Sequence, residues 1–179
     1  MKKLIFILII TSIAVINAAA QQNAAEVTFN FARQSGSASN QFAVWIENSQ
    51  GQFVKTLYAT RWTANGGWSR RPTSIPVWVK QSGLSEVPHE MIDTVSGATP
   101  RTGVLTYVWD GTDIRGASVP AGDYVLIIEG NLRWENMVYC RAPFRLGQGV
   151  SSARVNVEYT GEAAAERSMI GGISVRVLR

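Results

Sequence analysis

One cysteine and one histidine are all that this chain offers to several chemistries at once. With Cys140 alone no disulfide can form within the chain, so an oxidising compartment is tolerated but cannot be the source of stability. Its neighbours Met137, Val138 and Tyr139 are apolar, which reads as a buried, inert thiol. His89 stands between Pro88 and Glu90 in a polar stretch, without a nucleophile motif, and reads as an exposed loop histidine rather than a catalytic base. One His and one Cys far apart give no zinc spacing. Charge is sparse as well: the formal excess is +4, part of it from Lys2 and Lys3, and the arginines are scattered. That balance gives no nucleic-acid footprint. Asp110 and Asp113 fall at a turn, where Asp commonly bonds nearby backbone. No glycine-rich phosphate loop opens a helix, and there is neither a long amphipathic helix nor an internal repeat. Together these lacks argue against an independent hydrolase.

The N-terminus is better defined. Lys2 and Lys3 precede a nearly unbroken apolar run over residues 4–16, followed by Asn17, Ala18, Ala19 and Ala20. Charged, apolar and small-residue regions in that order make a secretory signal peptide. The run is short against the roughly 20 residues that span a bilayer. No cysteine follows it directly, which excludes a lipoprotein anchor at that point. Residues 1–20 are therefore expected to be removed after Ala20, and the protein to work in the periplasm or otherwise outside the cytoplasm. Residues 21–179 are long enough for one domain with a core that needs no staples.

Within that domain, strand patterns dominate. Val27, Phe29 and Phe31 alternate with Thr28, Asn30 and Ala32, and Phe42, Val44 and Ile46 alternate again. Asn48, Ser49, Gln50 and Gly51 mark a hairpin, with residues 52–60 as the return strand. Residues 61–103 differ: they hold four prolines, the only histidine and Trp62, Trp68 and Trp78. A connection that long is functional or disordered, and tryptophans speak against disorder. Pro76 and Gly83 bracket a short helix within it. Strand patterns resume at residues 104–109, 124–129, 132–141, 153–159 and 173–178. In the last two, Val155, Val157 and Tyr159, and Ile173, Val175 and Val177, are expected to face inward. About eight short strands with turns between them predict an all-β sandwich. The segment Trp109, Asp110, Gly111, Gly116 and residues 119–124 resembles the hairpin of immunoglobulin-like domains of flagellar hook-capping proteins and many secreted proteins, which supports an immunoglobulin-like sandwich and implies nothing about flagella.

One stretch of the long connection carries a specific pattern. Asp93, Thr94, Val95, Ser96, Gly97, Ala98 and Thr99 give an acid, two spacers, a small hydroxyl, Gly, Ala and a final hydroxyl. Gly97 and Ala98 offer minimal bulk beside Thr99, and Pro100 biases Thr99 towards an extended backbone. An unactivated threonine is a weak nucleophile, so any reaction on it needs an outside base or metal. The stretch resembles the acceptor signature of proteins modified by bacterial flavin transferases, D-x-x-S/T-G-A/S-T/S, as in membrane-bound sodium- and proton-pumping redox complexes. The resemblance implies FMN joined to Thr99 by a phosphoester, taken from FAD, with Asp93, Ser96, Gly97 and Ala98 as the recognised residues. Pro100 departs from the usual follow-on sequence of the pump subunits.

A wider resemblance covers most of the chain. Pro76-Val77-Trp78, Ser82-Gly83-Leu84, the motif, and Tyr107-Val108-Trp109-Asp110-Gly111 in that order are similar to a family of exported proteins of unknown function met alongside flavin transferases. It implies a periplasmic flavin carrier that is the substrate of a transferase, not itself an enzyme, and that exchanges electrons with membrane-associated or soluble redox partners. Arg70, Arg71 and Arg101 are candidates for the phosphate, and Trp68 or Trp78 for the flavin ring, by nearness in sequence and by charge. The alternative reading is a cofactor-free immunoglobulin-like binding or assembly module.

Overall fold

Strand β2 (Gln41–Asn48) organises the molecule, because both of its faces are buried. Phe42, Val44 and Ile46 lie in one apolar cluster, Ala43 and Trp45 in another. Side chains alternate along a strand, so a strand covered on both sides belongs to the middle of three layers. The computed structural model describes residues 23–36, 39–86, 89–147, 155–162 and 168–178, the side chains of His89 and Glu90 excepted. The leader and its cleavage after Ala20 lie outside the described residues, as do the surroundings of the His89 side chain.

The other strands are β1 (Ala24–Phe31), β3 (Phe53–Thr60), β4 (Ser96–Gly97), β5 (Gly103–Trp109), β6 (Gly122–Arg133), β7 (Asn136–Leu146), β8 (Asn156–Thr160) and β9 (Ile170–Leu178). They form a three-stranded sheet, β5-β1-β9, and a six-stranded sheet, β4-β3-β2-β6-β7-β8. Every pairing is antiparallel except the short one between β3 and β4. Val27, Phe29 and Phe31 of the small sheet share a core with Phe42, Val44, Ile46, Leu126 and Ile128 of the large one. The chain is thus the all-β sandwich that its alternation predicts.

The third layer comes from the long connection. A kinked helical turn (Thr63–Gly67), α1 (Trp68–Arg70), α2 (Pro76–Gln81) and α3 (His89–Val95) supply Ala64, Ile75, Trp78, Leu84 and Ile92 to a second core against Trp45, Ala59 and Ile127. Burying each of Ile75, Ile92 and Ile127 stabilises the layer by about 1.5–3 kcal/mol. The short helix after Pro76 is where Pro76 and Gly83 place it, and Gly83 follows it in the left-handed region at φ +62°.

Four expectations need correction. Residues 132–141 are not one strand: β6 ends at Arg133, Trp134 takes φ +50°, and its carbonyl accepts a bond from Asn131 Nδ2 to close a turn before β7. No Gly or Pro marks that turn, so the apolar run hides it. Val157 and Tyr159 do not face inward, since all of β8 is exposed at the sheet edge; Val155 just before it does pack on the core. Residues 104–124 do not pair as one hairpin either. β5 and β6 sit in different sheets, and the residues between them close their own small ladder at Thr112 and Ser118. Finally, the connection is more regular than expected, and His89, read as a loop residue, begins α3. Asp93 to Val95 end α3, and Ser96 and Gly97 pair with Ala59 and Thr60.

Candidate functional site

Residues 98–102 cross from β4, the edge of the large sheet, to β5, the edge of the small one, so they close one side of the sandwich. The approach to that crossing is tight. A Cβ on Gly97 would lie 2.8 Å from Tyr58 Cε2 and 3.2 Å from its hydroxyl, so any other residue there would have to push the ring or β4 aside. Beyond it the Tyr58 hydroxyl donates to the Ala98 carbonyl at 2.7 Å. Pro100 removes an N–H and keeps the residue before it extended. On the far side Thr102 Oγ1 accepts the Arg33 N–H at 3.0 Å. Between these two ties Ala98 is exposed and Thr99 half-buried.

The motif's other polar groups are poorly satisfied. Ser96 Oγ is buried without a hydrogen-bond partner, a cost of about 1–3 kcal/mol for a buried hydroxyl. Asp93 is exposed and accepts only a long bond, 3.3 Å, from Asn65 Nδ2 in the kinked turn. Thr94 Oγ1 turns back to the Met91 carbonyl and finishes α3.

Tyr58 belongs to a file of rings that sequence reading does not single out. Its centroid lies 5.0 Å from Tyr107 and 5.1 Å from Phe42. Burial pushes the Tyr58 phenol up to about 12, with Arg61 pulling the other way, and burial beside Tyr58 raises Tyr107 as well. Tyr58 therefore stays protonated and remains a donor to Ala98. Aromatic alternation along β3 and β5 reads equally as core packing, so nothing in the sequence marks this pair as the support of the crossing.

Of the residues expected to hold a ligand, Arg101 is exposed two positions after Thr99, and Arg70 is exposed on α1. Arg71 is more deeply engaged. Its guanidinium lies 4.6 Å over the Trp62 ring, and Nη2 donates to Ser39 Oγ at 2.5 Å and Ser74 Oγ at 3.3 Å. Its Nε is buried with no partner, and burial lowers its pKa. Ser74 continues into a buried chain of hydroxyls through Thr63 to Gln41, which also accepts from Thr60. Thr60 is the residue that pairs with Gly97, so Arg71 is connected to β4 through this network.

Trp78 is 1% exposed, with Nε1 donating to Thr56 Oγ1 at 3.0 Å. It lines a cavity of about 370 Å³ together with Phe53, Leu84, Met91 and Ile92, and the cavity shares Thr94 and Val95 with the first half of the motif. β4 then runs parallel to β3 from Ala59 to Thr60, away from Phe53 and Thr56. A ligand could reach Trp78 only from the cavity. Trp68 is half-buried beside Pro72, Pro76 and Val79 on a shallow groove. The structure thus joins Asp93, Ser96, Gly97, Ala98 and Thr99 in one strip and leaves both tryptophans facing separate hollows.

Cys140 is buried in the sandwich core and burial pushes its thiol up to about 12, as an inert cysteine requires. Among the described residues no cluster of three or more His, Cys, Asp or Glu could hold a metal ion, and no helix is long and apolar enough to cross a membrane. No curated protein and no solved structure matches the chain. The family whose model does match spans residues 22–165 and is described as "Predicted periplasmic protein (DUF2271)", which agrees with an exported chain. With most of its length covered, from residue 22 to beyond β8, the chain belongs to that family of predicted periplasmic proteins.

Proposed function

We propose that the protein is an extracytoplasmic electron carrier with FMN joined through a phosphoester to Thr99 Oγ1. The observation that carries this reading is the strip itself: a half-buried threonine between two ties, with Gly97 two residues before it passing close against the Tyr58 ring. Small neighbours matter because a transferase must bring a phosphorus atom against the hydroxyl. In the reaction the bond from Thr99 Oγ1 to the FMN phosphorus forms and the pyrophosphate bond of FAD breaks. AMP leaves with the electron pair, and the hydroxyl proton passes to a base of the transferase. The protein is the substrate of that step, not its catalyst.

The donors present suit the group. The Ser96 hydroxyl lacks a partner and Arg101 follows Thr99 closely, so a phosphate oxygen would satisfy the first and be neutralised by the second. Arg70 and Arg71 extend the positive charge on the neighbouring turn, and Trp78 offers an aromatic wall to a ring that enters the cavity. The flavin supplies the electron chemistry when bound, while the chain binds it and sets its surroundings.

Co-expression with a flavin transferase tests the proposal. The purified and denatured protein should fluoresce in a gel and carry the mass of one FMN less water on the peptide that contains Thr99, and Thr99→Ala should lose both. An unmodified chain, beside a second acceptor that the same transferase does modify, would sink it.

A further inference from the structure

Among the described residues, ion pairs and unpaired arginines fall at different ends of the sandwich. Thr99 lies at the end formed by the close of β1, β3, β6 and β8 and the start of β2, β5, β7 and β9. Arg33 is tied there through its N–H to Thr102, Arg61 follows the last residue of β3, and Arg101 precedes the start of β5 by two residues. Arg70 adjoins them on α1. All four are exposed, and none belongs to an ion pair among the described residues. The ion pairs among the described residues are elsewhere. Lys55 with Asp110 and Arg145 with Asp123 stand at the opposite end, and Arg176 with Glu26 lies near it on β9 and β1. The described acids at or near the Thr99 end are Asp93, bonded by Asn65, Glu158 on β8, bonded by Asn156, and Glu135 and Glu162 in the segments after β6 and β8.

The same end exposes two tryptophans, Trp62 at 43% and Trp134 at 63%. Trp62 follows β3 and Trp134 follows β6, and only β2 separates those strands, so their ends are about 10 Å apart across the sheet. One face of Trp62 lies under the Arg71 guanidinium and against Gly67, but the rest of its ring, and most of Trp134, exposes apolar surface at a cost. Arginine and tryptophan are the residue types most enriched at the centres of protein interfaces.

We infer that the end of the sandwich carrying Thr99 is a docking face for the acidic surface of a partner protein. Unpaired arginines draw such a surface in and orient it, and the two tryptophans supply apolar contact once water is displaced. A redox partner docked there would meet the residue that the proposed function modifies. The inference rests on that reading for the purpose of the contact, but not for its existence.

The test uses the unmodified full-length mature chain, so a failure of flavin attachment does not affect it. Binding is measured against an acidic flavodoxin and a basic cytochrome c at rising salt, with a DNA duplex and anionic lipid vesicles as further probes. The acidic protein should bind and the basic one should not, with affinity falling steeply as salt screens the arginines. Arg33→Glu, Arg61→Glu and Arg101→Glu combined should weaken it by about tenfold or more, while Arg115→Glu, at the opposite end, should leave it unchanged. Trp134→Asn, which suits the positive φ, should weaken it without altering the salt dependence. Unchanged circular dichroism and melting of each variant secure the comparison. Equal binding of the two proteins, equal effects at the two ends, or tighter binding of the duplex or the vesicles would overturn the inference.

Discussion

Glu129 should make the fold less stable as pH rises through the range just below neutrality. It is fully buried on β6, on the face covered by the helical layer, and accepts the backbone N–H of Val77 at 3.1 Å and of Trp78 at 2.8 Å. It thereby does the work of an N-cap for α2, whose own preceding residue, Ile75, sits at φ +47° with no cap of its own. Burial outweighs the two hydrogen bonds and pushes the carboxyl up from 4.5 to about 7. Between those values the folded protein keeps a proton that the unfolded chain has released, so stability is fully present below 4.5 and is lost as pH rises through about 7. At 1.36 kcal/mol per pH unit the whole change is about 3 kcal/mol, or roughly 10 °C in Tm for a domain of this size. The groups on the same face are Glu47, which accepts from Trp45 Nε1, and Tyr139, which titrates near 12. Neighbouring Arg141 acts on Tyr139. Glu129→Gln keeps an acceptor for the α2 amides and cannot ionise. Urea midpoints of both proteins from pH 4 to pH 8 isolate Glu129 from groups such as Asp110. Burial raises the Asp110 pKa, but hydrogen bonds from Lys55 and Thr112 leave it lowered, so its contribution is lost only in acid. The wild type should lose stability relative to Glu129→Gln as pH rises. A flat difference, or a variant that keeps the slope, refutes the assignment of α2's cap to a carboxylate titrating near neutrality.

Two further changes probe the crossing and the core. Gly97→Ala should cost about 1–3 kcal/mol in denaturant unfolding, because the new methyl meets the Tyr58 ring at 2.8 Å and one of them must shift; wild-type stability would mean that the two strands can separate freely there. Cys140 in the native protein should react with a thiol reagent about a thousandfold more slowly than in denaturant, since burial lifts its thiol from 9.0 to about 12. Rapid labelling without unfolding would show that the sandwich core opens.

The sandwich was legible because alternation is a local signal: Val27, Phe29 and Phe31, then Phe42, Val44 and Ile46, declare one buried face each. The third layer was not, because burial of the opposite face of β2 depends on residues far along the chain. Trp45 alternates just as a solvent-facing aromatic would, and Ala64, Ile75, Trp78, Leu84 and Ile92 from the connection make it core. The turn at Trp134 stayed hidden for a related reason. Its left-handed backbone is held by Asn131 and not by a glycine. In the site, residue types near Thr99 could be read directly, whereas Tyr58 could not. Its role depends on β3 and β4 lying side by side, a pairing of two residues that no pattern announces.

That pairing also couples the site to the fold. β4 is too short to hold an edge by its own ladder, so the crossing relies on the Tyr58 hydroxyl, on the bond between Arg33 and Thr102, and on close passage of Gly97. Each of these contacts also fixes where Thr99 stands. A weaker crossing should therefore lose position before it loses the sandwich, whose core strands β1, β2 and β6 do not depend on it. Gly97→Ala is the case that separates the two. If it impairs modification of Thr99 while core amides keep their protection in hydrogen exchange, the crossing is a presentation device; if both fall together, it is a structural seam on which a threonine happens to lie.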